Sequence, residues 1–316
     1  MIVFALRRLL GFAATLLVAA LVVFWLLDLL PGDPAQFVLG INATPESLAR
    51  LRAQMGLDAP AHERFLGWVW GMLQGDFGMS YTQRAPVGEL IWGRLGVTLP
   101  LSVFAMVISL IGLPLGILAA RRRGKALDTV IMVLAQTGIA VPNFWFGMLL
   151  TLLFAVTLRW LPPGGFTPWN ENPGLALRGL VLPSLALALP QASILARVMR
   201  TALVDVTSQD YIRTARAKGL TMDEAVWRHG VRNALLPVLT ILGLQFAYLV
   251  AGTIIVENVF YLPGLGKLIF TAISERDLIL VSGATMILIV VVTATMLLTD
   301  IAYALVDPRL RERSAP

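Results

Sequence analysis

Cysteine is absent from this sequence of 316 residues, and histidine occurs only twice. The lack of cysteine excludes a disulfide framework, thiol chemistry and a cysteine metal site. Two histidines that lie far apart in the chain, His62 and His229, give little basis for a metal centre or a histidine-based catalytic site. Charged residues make up only 14% of the chain, against about 25% in an average soluble domain. We therefore expect no catalytic residue, metal or resident cofactor in this chain.

Apolar residues, by contrast, make up 57% of the sequence and occur in long uninterrupted runs. The mean hydropathy is +0.78. A soluble fold of this length could not bury so much apolar surface, and inside a bilayer only helices and closed barrels satisfy their own backbone groups. A barrel is excluded because the apolar runs are continuous rather than alternating. The sequence therefore predicts an all-α membrane protein.

Six apolar runs are long enough to cross a bilayer, which takes about 20 residues. The predicted spans are Leu9–Leu30, Leu99–Ala120, Val130–Val156, Leu180–Val204, Leu235–Val256 and Leu278–Leu305. The first run is longer than the apolar core of a signal peptide, which has about 7–15 residues, so we expect it to be retained. The fourth span is expected to leave the membrane near Leu195 and to continue as a helix.

Lysine and arginine are distributed unequally between the loops. With the N-terminus inside, the inner segments hold sixteen of them, whereas the short outer loops hold four, Arg159, Arg178, Lys267 and Arg276. Basic residues are retained on the cytoplasmic side of a membrane, so both termini are predicted to be cytoplasmic. The same asymmetry accounts for the net charge of +6, and nucleic acid is not an expected partner.

The long loop after the first span, residues 31–98, is predicted to be periplasmic and to contain two helices. Thr44 and Pro45 are typical of a helix start, and Gly56 is typical of a stop. The stretch Pro60–Leu73 is amphipathic and rich in tryptophan. These helices either lie on the outer membrane surface or form a small subdomain against the spans. The predicted organisation is a first span with this loop (1–98), a five-span core (99–307) and a cytoplasmic tail (308–316).

The cytoplasmic loop between the fourth and fifth spans, residues 197–234, carries the most detailed pattern. Ser208 can cap a helix that contains Asp210, and Gly219 is placed to end it. Residues 221–224 fit a capping box that starts a second short helix. A basic, amphipathic helix–glycine–helix surface either docks into a groove of a partner protein or rests on anionic lipid.

The first helix of this loop resembles the EAA loop of ABC importer permeases, in which Glu-Ala-Ala is followed by three residues, a glycine and a downstream Leu-Pro. Arg213 and Thr214 replace the Glu and the first Ala of that pattern. The string Asp-Tyr-x-x-Thr-Ala-Arg-Ala-Lys-Gly-Leu is nevertheless typical of the dipeptide, oligopeptide and nickel branch. By this resemblance the ATPase-coupling loop comprises Asp210, Tyr211, Ile212, Arg213, Thr214, Ala215, Arg216, Ala217, Lys218, Gly219 and Leu220.

Further similarity to this family extends over nearly the whole chain. It is found at Leu30–Pro34, Val97–Pro100, Val141–Phe144, Glu257–Phe260, Leu262–Gly266 and Asp307–Arg309. With the long outer loop, these stretches are similar to the first of the two permeases in such systems. The resemblance implies a type I importer architecture with six transmembrane helices and a long periplasmic loop after the first.

The resemblance also implies a non-catalytic subunit of an ATP-driven importer in the bacterial inner membrane. A second permease would complete the translocation path, two ATPase subunits would bind ATP and Mg²⁺, and a periplasmic binding protein would deliver the substrate. In the ATPase contact, three basic residues are expected to pair with acids: Arg213, Arg216 and Lys218. Four apolar residues are expected to become buried: Tyr211, Ile212, Ala215 and Leu220. Membrane lipid surrounds the spans. Peptide is the expected substrate, and a nickel chelate, glutathione or another small solute is the alternative.

Three polar residues, Asn143, Glu257 and Asn258, are predicted to line the path or to meet the binding protein. Two rival functions were weighed. An ATP-independent transporter or channel predicts ionisable residues at mid-span, where this chain has almost none. An intramembrane enzyme needs a nucleophile and a base within the spans. The string Gly264–Leu268 resembles a P-loop only superficially, because Leu268 stands where Ser or Thr is required.

Overall fold

The computed structural model describes residues 2–29, 34–40 and 43–306 of the chain. Most of these residues are helical. The helices are α1 (Ile2–Asp28), α2 (Pro34–Leu39), α3 (Pro45–Gln54), α4 (Ala61–Leu73), α5 (Val87–Ser109), α6 (Gly112–Arg121), α7 (Ala126–Ala140), α8 (Asn143–Leu150), α9 (Pro173–Thr207), α10 (Asp210–Ala217), α11 (Met222–Ala225), α12 (Val231–Val259), α13 (Leu265–Ser274) and α14 (Leu278–Val306). A short antiparallel hairpin pairs β1 (Met79–Ser80) with β2 (Ala85–Pro86). The π-helical turns Thr151–Thr157 and Val226–Gly230 continue α8 and α11.

Five helical stretches within the described ranges are long and apolar enough to cross a membrane, and one bent pair of helices can make a sixth. The five are Leu6–Leu26, Val87–Arg121, Pro173–Thr207, Met222–Val259 and Leu278–Ile301. The prediction of a helical protein with several membrane-spanning segments is thereby confirmed. The fourth predicted span does continue as a helix, to Thr207.

The third predicted span is not a single rod. α7 and α8 meet at 103°. Val141 and Pro142 between them have extended backbone conformations. Proline lacks the N–H that a continuing helix would need, and it disfavours the helical conformation of the residue before it. The predicted span Val130–Val156 was expected to kink at Pro142 and Asn143, and the bend lies at that point.

Two features singled out in the sequence fall wholly or largely outside the described residues. Leu30–Asp33, which make up most of the motif after the first span, are not described. The same holds for Asp307–Arg309 and the tail 308–316.

The described helices separate into two compact units, and the first comprises residues 99–262 with the ends of the chain. Its centre is α9, against which α6, α7, α8 and α12 pack. α6 approaches α9 closely because it presents glycines. A Cβ on Gly112 would lie 3.0 Å from the Ala196 backbone nitrogen, and one on Gly116 would lie 2.8 Å from the Met199 Cβ. Small residues of this kind let membrane helices pack backbone to backbone.

The second unit comprises residues 6–98 and 263–294. Its helix α3 begins at Thr44, whose hydroxyl accepts from the Ser47 N–H at 3.2 Å, and it ends before Gly56, which has a φ of +65°. These predicted helix ends are confirmed. The buried Asp277 carboxylate accepts hydrogen bonds from the hydroxyls of Ser80 at 2.6 Å and Thr82 at 2.9 Å, and from the N–H of Leu280 at 3.0 Å. One carboxylate thus ties the hairpin to the start of α14.

Candidate functional site

The predicted coupling residues 210–220 form α10 and the reverse turn that follows it. One face of α10 is buried: Ile212 is 1% exposed and Ala215 is 7% exposed. These two side chains form a small apolar cluster with Ala225, against which Val206 and Leu220 pack. α10 is therefore held against the end of α9 and the start of α11 by apolar contacts within the chain itself.

The rest of α10 and the residue after it are exposed and basic. Arg213, Arg216 and Lys218 are exposed, as is Tyr211. Arg213 forms one exposed ion pair, with Asp210 at 3.3 Å. Such exposed pairs contribute about 0–1 kcal/mol, so Asp210 does not commit Arg213 to a single geometry. The exposed face thus offers three cations and one aromatic ring.

This arrangement changes the expected use of two apolar residues. Ile212 and Ala215 were predicted to become buried against a partner, together with Tyr211 and Leu220. In the structure Ile212 and Ala215 are already buried in the cluster with Ala225. Their contribution is to hold α10 in place, and Tyr211 is the large apolar side chain of the four that remains exposed.

Gly219 reverses the chain after α10 with a φ of +99°. The Gly219 N–H donates to the Arg216 carbonyl at 2.9 Å, and the Leu220 N–H donates to the Ala215 carbonyl at 3.3 Å. This pair of hydrogen bonds is the Schellman motif of a helix C-terminus, in which the left-handed residue is usually glycine. The prediction that Gly219 ends the helix is confirmed.

Thr221 starts the next helix with the predicted capping box. Its hydroxyl accepts from the Glu224 N–H at 3.3 Å, and the Glu224 carboxylate accepts from the Thr221 N–H at 2.8 Å. The prediction for Ser208 was wrong. Ser208 is the C-terminal cap of α9 and donates to the Asp205 carbonyl at 2.7 Å, whereas Gln209 precedes α10 without a side-chain cap.

The second helix of the loop is not a separate short element. α11, its π-helical turn and α12 form one continuous helical stretch, Met222–Val259. Pro237 lies inside this helix. The helix therefore passes from the loop into the span through the π-helical turn Val226–Gly230 without a non-helical residue between them.

A contact that the sequence patterns did not indicate anchors the start of this long helix. The Arg121 guanidinium donates to both carboxylate oxygens of Asp223, at 3.1 and 2.7 Å. It also lies over the Trp227 ring, 5.9 Å from the ring centroid. Planar two-point pairing of this kind favours arginine over lysine. The end of α6 is thereby linked to α11.

The three residues predicted to line a path lie on α8 and α12. Asn143 is the first residue of α8 and is half-buried. Its amide lies close to Gly252 of α12, because a Cβ added to that glycine would lie 3.6 Å from the Asn143 Nδ2 atom. Glu257 is completely buried. Asn258 is half-buried and donates to the Ile254 carbonyl at 2.7 Å. Asn143 is thus close to α12, and Glu257 is reachable only if its surroundings open.

Two protein-family profiles match the chain. The profile described as "Binding-protein-dependent transport system inner membrane component" matches residues 112–312, which include the 210–220 segment. The profile described as "Binding-prot-dependent transport system membrane comp, N-term" matches residues 1–102. The two matches together cover nearly the whole sequence.

Similar proteins align along almost their full length. The "Putative peptide transport system permease protein" of Brucella abortus (strain 2308) is 41% identical over 307 residues, which are 97% of this chain and 98% of that protein. The "Glutathione transport system permease protein GsiC" of Salmonella typhi is 42% identical over 312 residues, which are 98% of this chain and 99% of that protein.

A solved structure has a similar fold. A chain from an inward-facing form of the MetNI methionine ABC transporter aligns with a TM-score of 0.56 and 17% sequence identity. The alignment covers 69% of this chain and 96% of that chain. At this level of identity the likeness concerns the fold.

Proposed function

Because the chain belongs to the family of binding-protein-dependent transport system inner membrane components, we propose that it is the first of two permease subunits in an ATP-driven importer of peptides. The chain is an inner-membrane component of a transport system. The ATP-driven mechanism, the partner subunits and the substrate are the content of the proposal. ATP and Mg²⁺ would be bound by two ATPase partners, and this chain would hydrolyse nothing.

The observation that carries the proposal is the exposed basic face of α10 on an immobilised support. The buried side chains of Ile212 and Ala215 anchor α10 to its own chain, and the turn at Gly219 and the capping box at Thr221 fix the course of the backbone after α10. A surface that is rigid before binding loses little conformational entropy when a partner docks. Arg213, Arg216 and Lys218 would then meet acids on the ATPase.

The continuous helix Met222–Val259 supports a mechanical role for this surface. A helix of 38 residues is about 57 Å long at a rise of 1.5 Å per residue. Closure of the ATPase subunits would displace α10, and α11 continues through a π-helical turn into α12. The displacement would therefore reach the far end of α12, where Glu257 and Asn258 lie, and open the path between the two permeases.

The full-length similarity to a permease named for peptides and to one named for glutathione supports a peptide-like substrate. Glutathione carries amide bonds, as peptides do, so the two names describe related chemistry. A periplasmic binding protein would deliver the substrate to Asn143, Glu257 and Asn258. A nickel chelate or another small solute is the alternative cargo.

The proposed topology has six spans and cytoplasmic termini. The bent pair α7 and α8 supplies the sixth span in this proposal, because five other stretches are long enough to cross by themselves. This orientation puts α10 on the cytoplasmic side, where ATP is available, and the loop after α1 on the periplasmic side.

The proposal is tested by co-purification of the chain with its ATPase subunits and second permease. The test variant reverses three charges on α10, Arg213→Glu, Arg216→Glu and Lys218→Glu. We expect the ATPase to be lost from the membrane complex, because like charges would face each other across the contact. Deletion of residues 212–220 should have the same effect.

The matched control reverses three exposed charges between α6 and α7, Arg122→Glu, Arg123→Glu and Lys125→Glu. It changes the net charge equally and should retain the ATPase. Normal assembly of the α10 variant, or equal loss in the control, would contradict the proposed docking surface. Substrate uptake by the chain without any ATPase would instead favour an ATP-independent transporter.

A further inference from the structure

Among the residues that the structure describes, three side-chain atoms on α9 and α12 are buried without a hydrogen-bond partner. They are the hydroxyl oxygen of Ser184 and the amide oxygens Oε1 of Gln191 and Gln245. The residues themselves are 1%, 9% and 2% exposed. Buried polar atoms are nearly always hydrogen-bonded in native proteins, so each exception requires an explanation.

The orientation of the Gln245 amide is fixed by one hydrogen bond. Its Nε2 donates to the Gln191 backbone carbonyl at 3.4 Å. Rotation of the amide by half a turn would bring its oxygen against that carbonyl oxygen, so Oε1 must point away from it. The oxygen is therefore an acceptor for which the described part of the chain supplies no hydrogen-bond donor.

Two of the three residues share one face of α9, and the third contacts α9 from α12. Ser184 and Gln191 are seven residues apart, which puts them on the same face of α9, about 10 Å apart along its axis. α12 lies along this region of α9: a Cβ on Gly252 would lie 3.2 Å from the Leu187 Cδ2 atom, and Gln245 contacts Gln191. We call the contact at Ser184, Gln191 and Gln245 the polar seam.

Polar residues elsewhere on the same helices do not share this property. The Ser193 hydroxyl donates to the Leu189 carbonyl at 2.8 Å, and the Thr253 hydroxyl donates to the Val250 carbonyl at 2.8 Å. Short hydroxyl side chains can bond back to their own helix in this way. The two glutamine oxygens do not, and leucine would fill a similar volume without leaving an acceptor unpaired. Stability alone therefore does not account for glutamine at these positions.

We propose that the polar seam is a hydrogen-bonding station of the translocation path, which presents acceptor oxygens to N–H donors of the transported solute. The proposal rests on the importer function proposed above. A peptide-like solute carries amide and ammonium donors, and acceptor oxygens inside an otherwise apolar span would replace the water it loses. In the open state α9 and α12 would separate, so that Gln191 and Gln245 join the path between the two permeases; when the helices close, the oxygens are buried again.

Accessibility of the seam is tested first, because the chain contains no cysteine and offers a clean background for labelling. Gln245→Cys is introduced into the complete transporter, with partner subunits free of cysteine, and is treated with a charged, membrane-impermeant methanethiosulfonate reagent. We expect labelling to be about tenfold faster with ATP and loaded binding protein than without, as the open state becomes populated. The matched control is Val250→Cys, which is also buried on α12 but lies five residues from Gln245, on another face of the helix, and should label equally slowly in both conditions.

Function is tested with Gln245→Leu and Gln191→Leu in proteoliposomes. We expect the thermal midpoint of the complex to stay constant or rise, because an unpaired acceptor is removed. Peptide uptake per ATP hydrolysed should fall by about fivefold or more, since a coupling of this size is ordinary. Thr253→Val removes a buried hydroxyl that is already paired and should leave uptake unchanged.

The outcomes separate the inference from the importer function. If the wild-type transporter takes up peptide with ATP but Gln245→Cys labels equally with and without ATP, the polar seam is not part of the path. Leucine variants that lower stability and uptake in parallel would assign the glutamines a packing role, which also overturns the inference. Failure of the wild-type complex to transport with ATP would instead refute the proposed function.

Discussion

Replacement of Gly219 by alanine should destabilise the turn after α10 without creating any steric clash. A Cβ at this position would meet no atom within 4 Å, so the whole effect comes from the backbone. Gly219 has a φ of +99°, and residues with a Cβ lose about 1–2 kcal/mol in left-handed conformations. A loss of this size changes the ratio of closed to open turn by a factor of about 5–30.

Gly230 provides a matched control in the same loop. It has helical backbone angles, and a Cβ there would meet side chains at ordinary contact distances of 3.4 Å and more. Gly230→Ala should therefore be neutral or stabilising by about 0.5–1 kcal/mol, the usual advantage of alanine over glycine inside a helix.

The assay is hydrogen–deuterium exchange of the α10 amides in the purified protein. We expect faster exchange in Gly219→Ala, an intermediate rate in Gly219→Asn, because asparagine tolerates left-handed conformations better than alanine, and no increase in Gly230→Ala. Two results would refute the claim that the left-handed backbone of Gly219 stabilises the turn. One is equal exchange protection of α10 in the wild type and Gly219→Ala, and the other is an equal loss of protection in Gly219→Ala and Gly230→Ala.

Three further predictions concern the anchors of the fold. Ile212→Ala should destabilise α10 locally by about 2–5 kcal/mol, because it removes a buried side chain from a small cluster. Tyr211→Ala truncates an exposed ring and should not destabilise the helix. Equal exchange protection of α10 in both variants would contradict the anchoring role of the cluster. Asp223→Asn should increase exchange at the start of α11 less than about fivefold, because the pair with arginine is exposed, and 1 M salt should remove the difference from wild type; an effect that persists in salt would mean that the contact is not electrostatic. Asp277→Ala should lower the free energy of unfolding of its unit by about 1–3 kcal/mol, because a helix cap and the partner of a buried hydroxyl are lost. The control is Glu275→Ala, which changes an exposed neighbour. A thermal midpoint of Asp277→Ala as high as that of the control would exclude a stabilising role for the Asp277 carboxylate.

The helix ends of the candidate site were predictable from the sequence because they depend on neighbouring residues. Thr221 and Glu224 are three positions apart, and the side chain of each accepts a hydrogen bond from the backbone N–H of the other. Gly219 adopts a conformation that other residues avoid. Ser208 was assigned to the wrong helix, because serine is compatible with the end of α9 as well as with the start of α10, and local chemistry does not distinguish the two.

The Arg121–Asp223 contact could not be predicted in the same way. Its partners are 102 residues apart, and the capping-box pattern around Asp223 does not indicate an arginine on another helix. Pairing of this kind depends on which helix ends meet. The buried face of α10 has the same origin: Ile212 and Ala215 share a face by helical spacing, but whether that face meets a partner or the chain itself depends on where α9 ends.

The sequence by itself determined that the protein is a bundle of membrane helices, which family it belongs to, and where the helices of the loop end. These properties follow from the total apolar content, from long matching strings and from interactions within one helical turn, all of which are written along the chain. Only the tertiary structure decided that α10 is anchored by its own apolar face, that α11 continues into α12, and that the amide oxygens of Gln191 and Gln245 are buried without a partner. These properties depend on contacts between helices that are distant in sequence, and such contacts are set by packing rather than by local propensity.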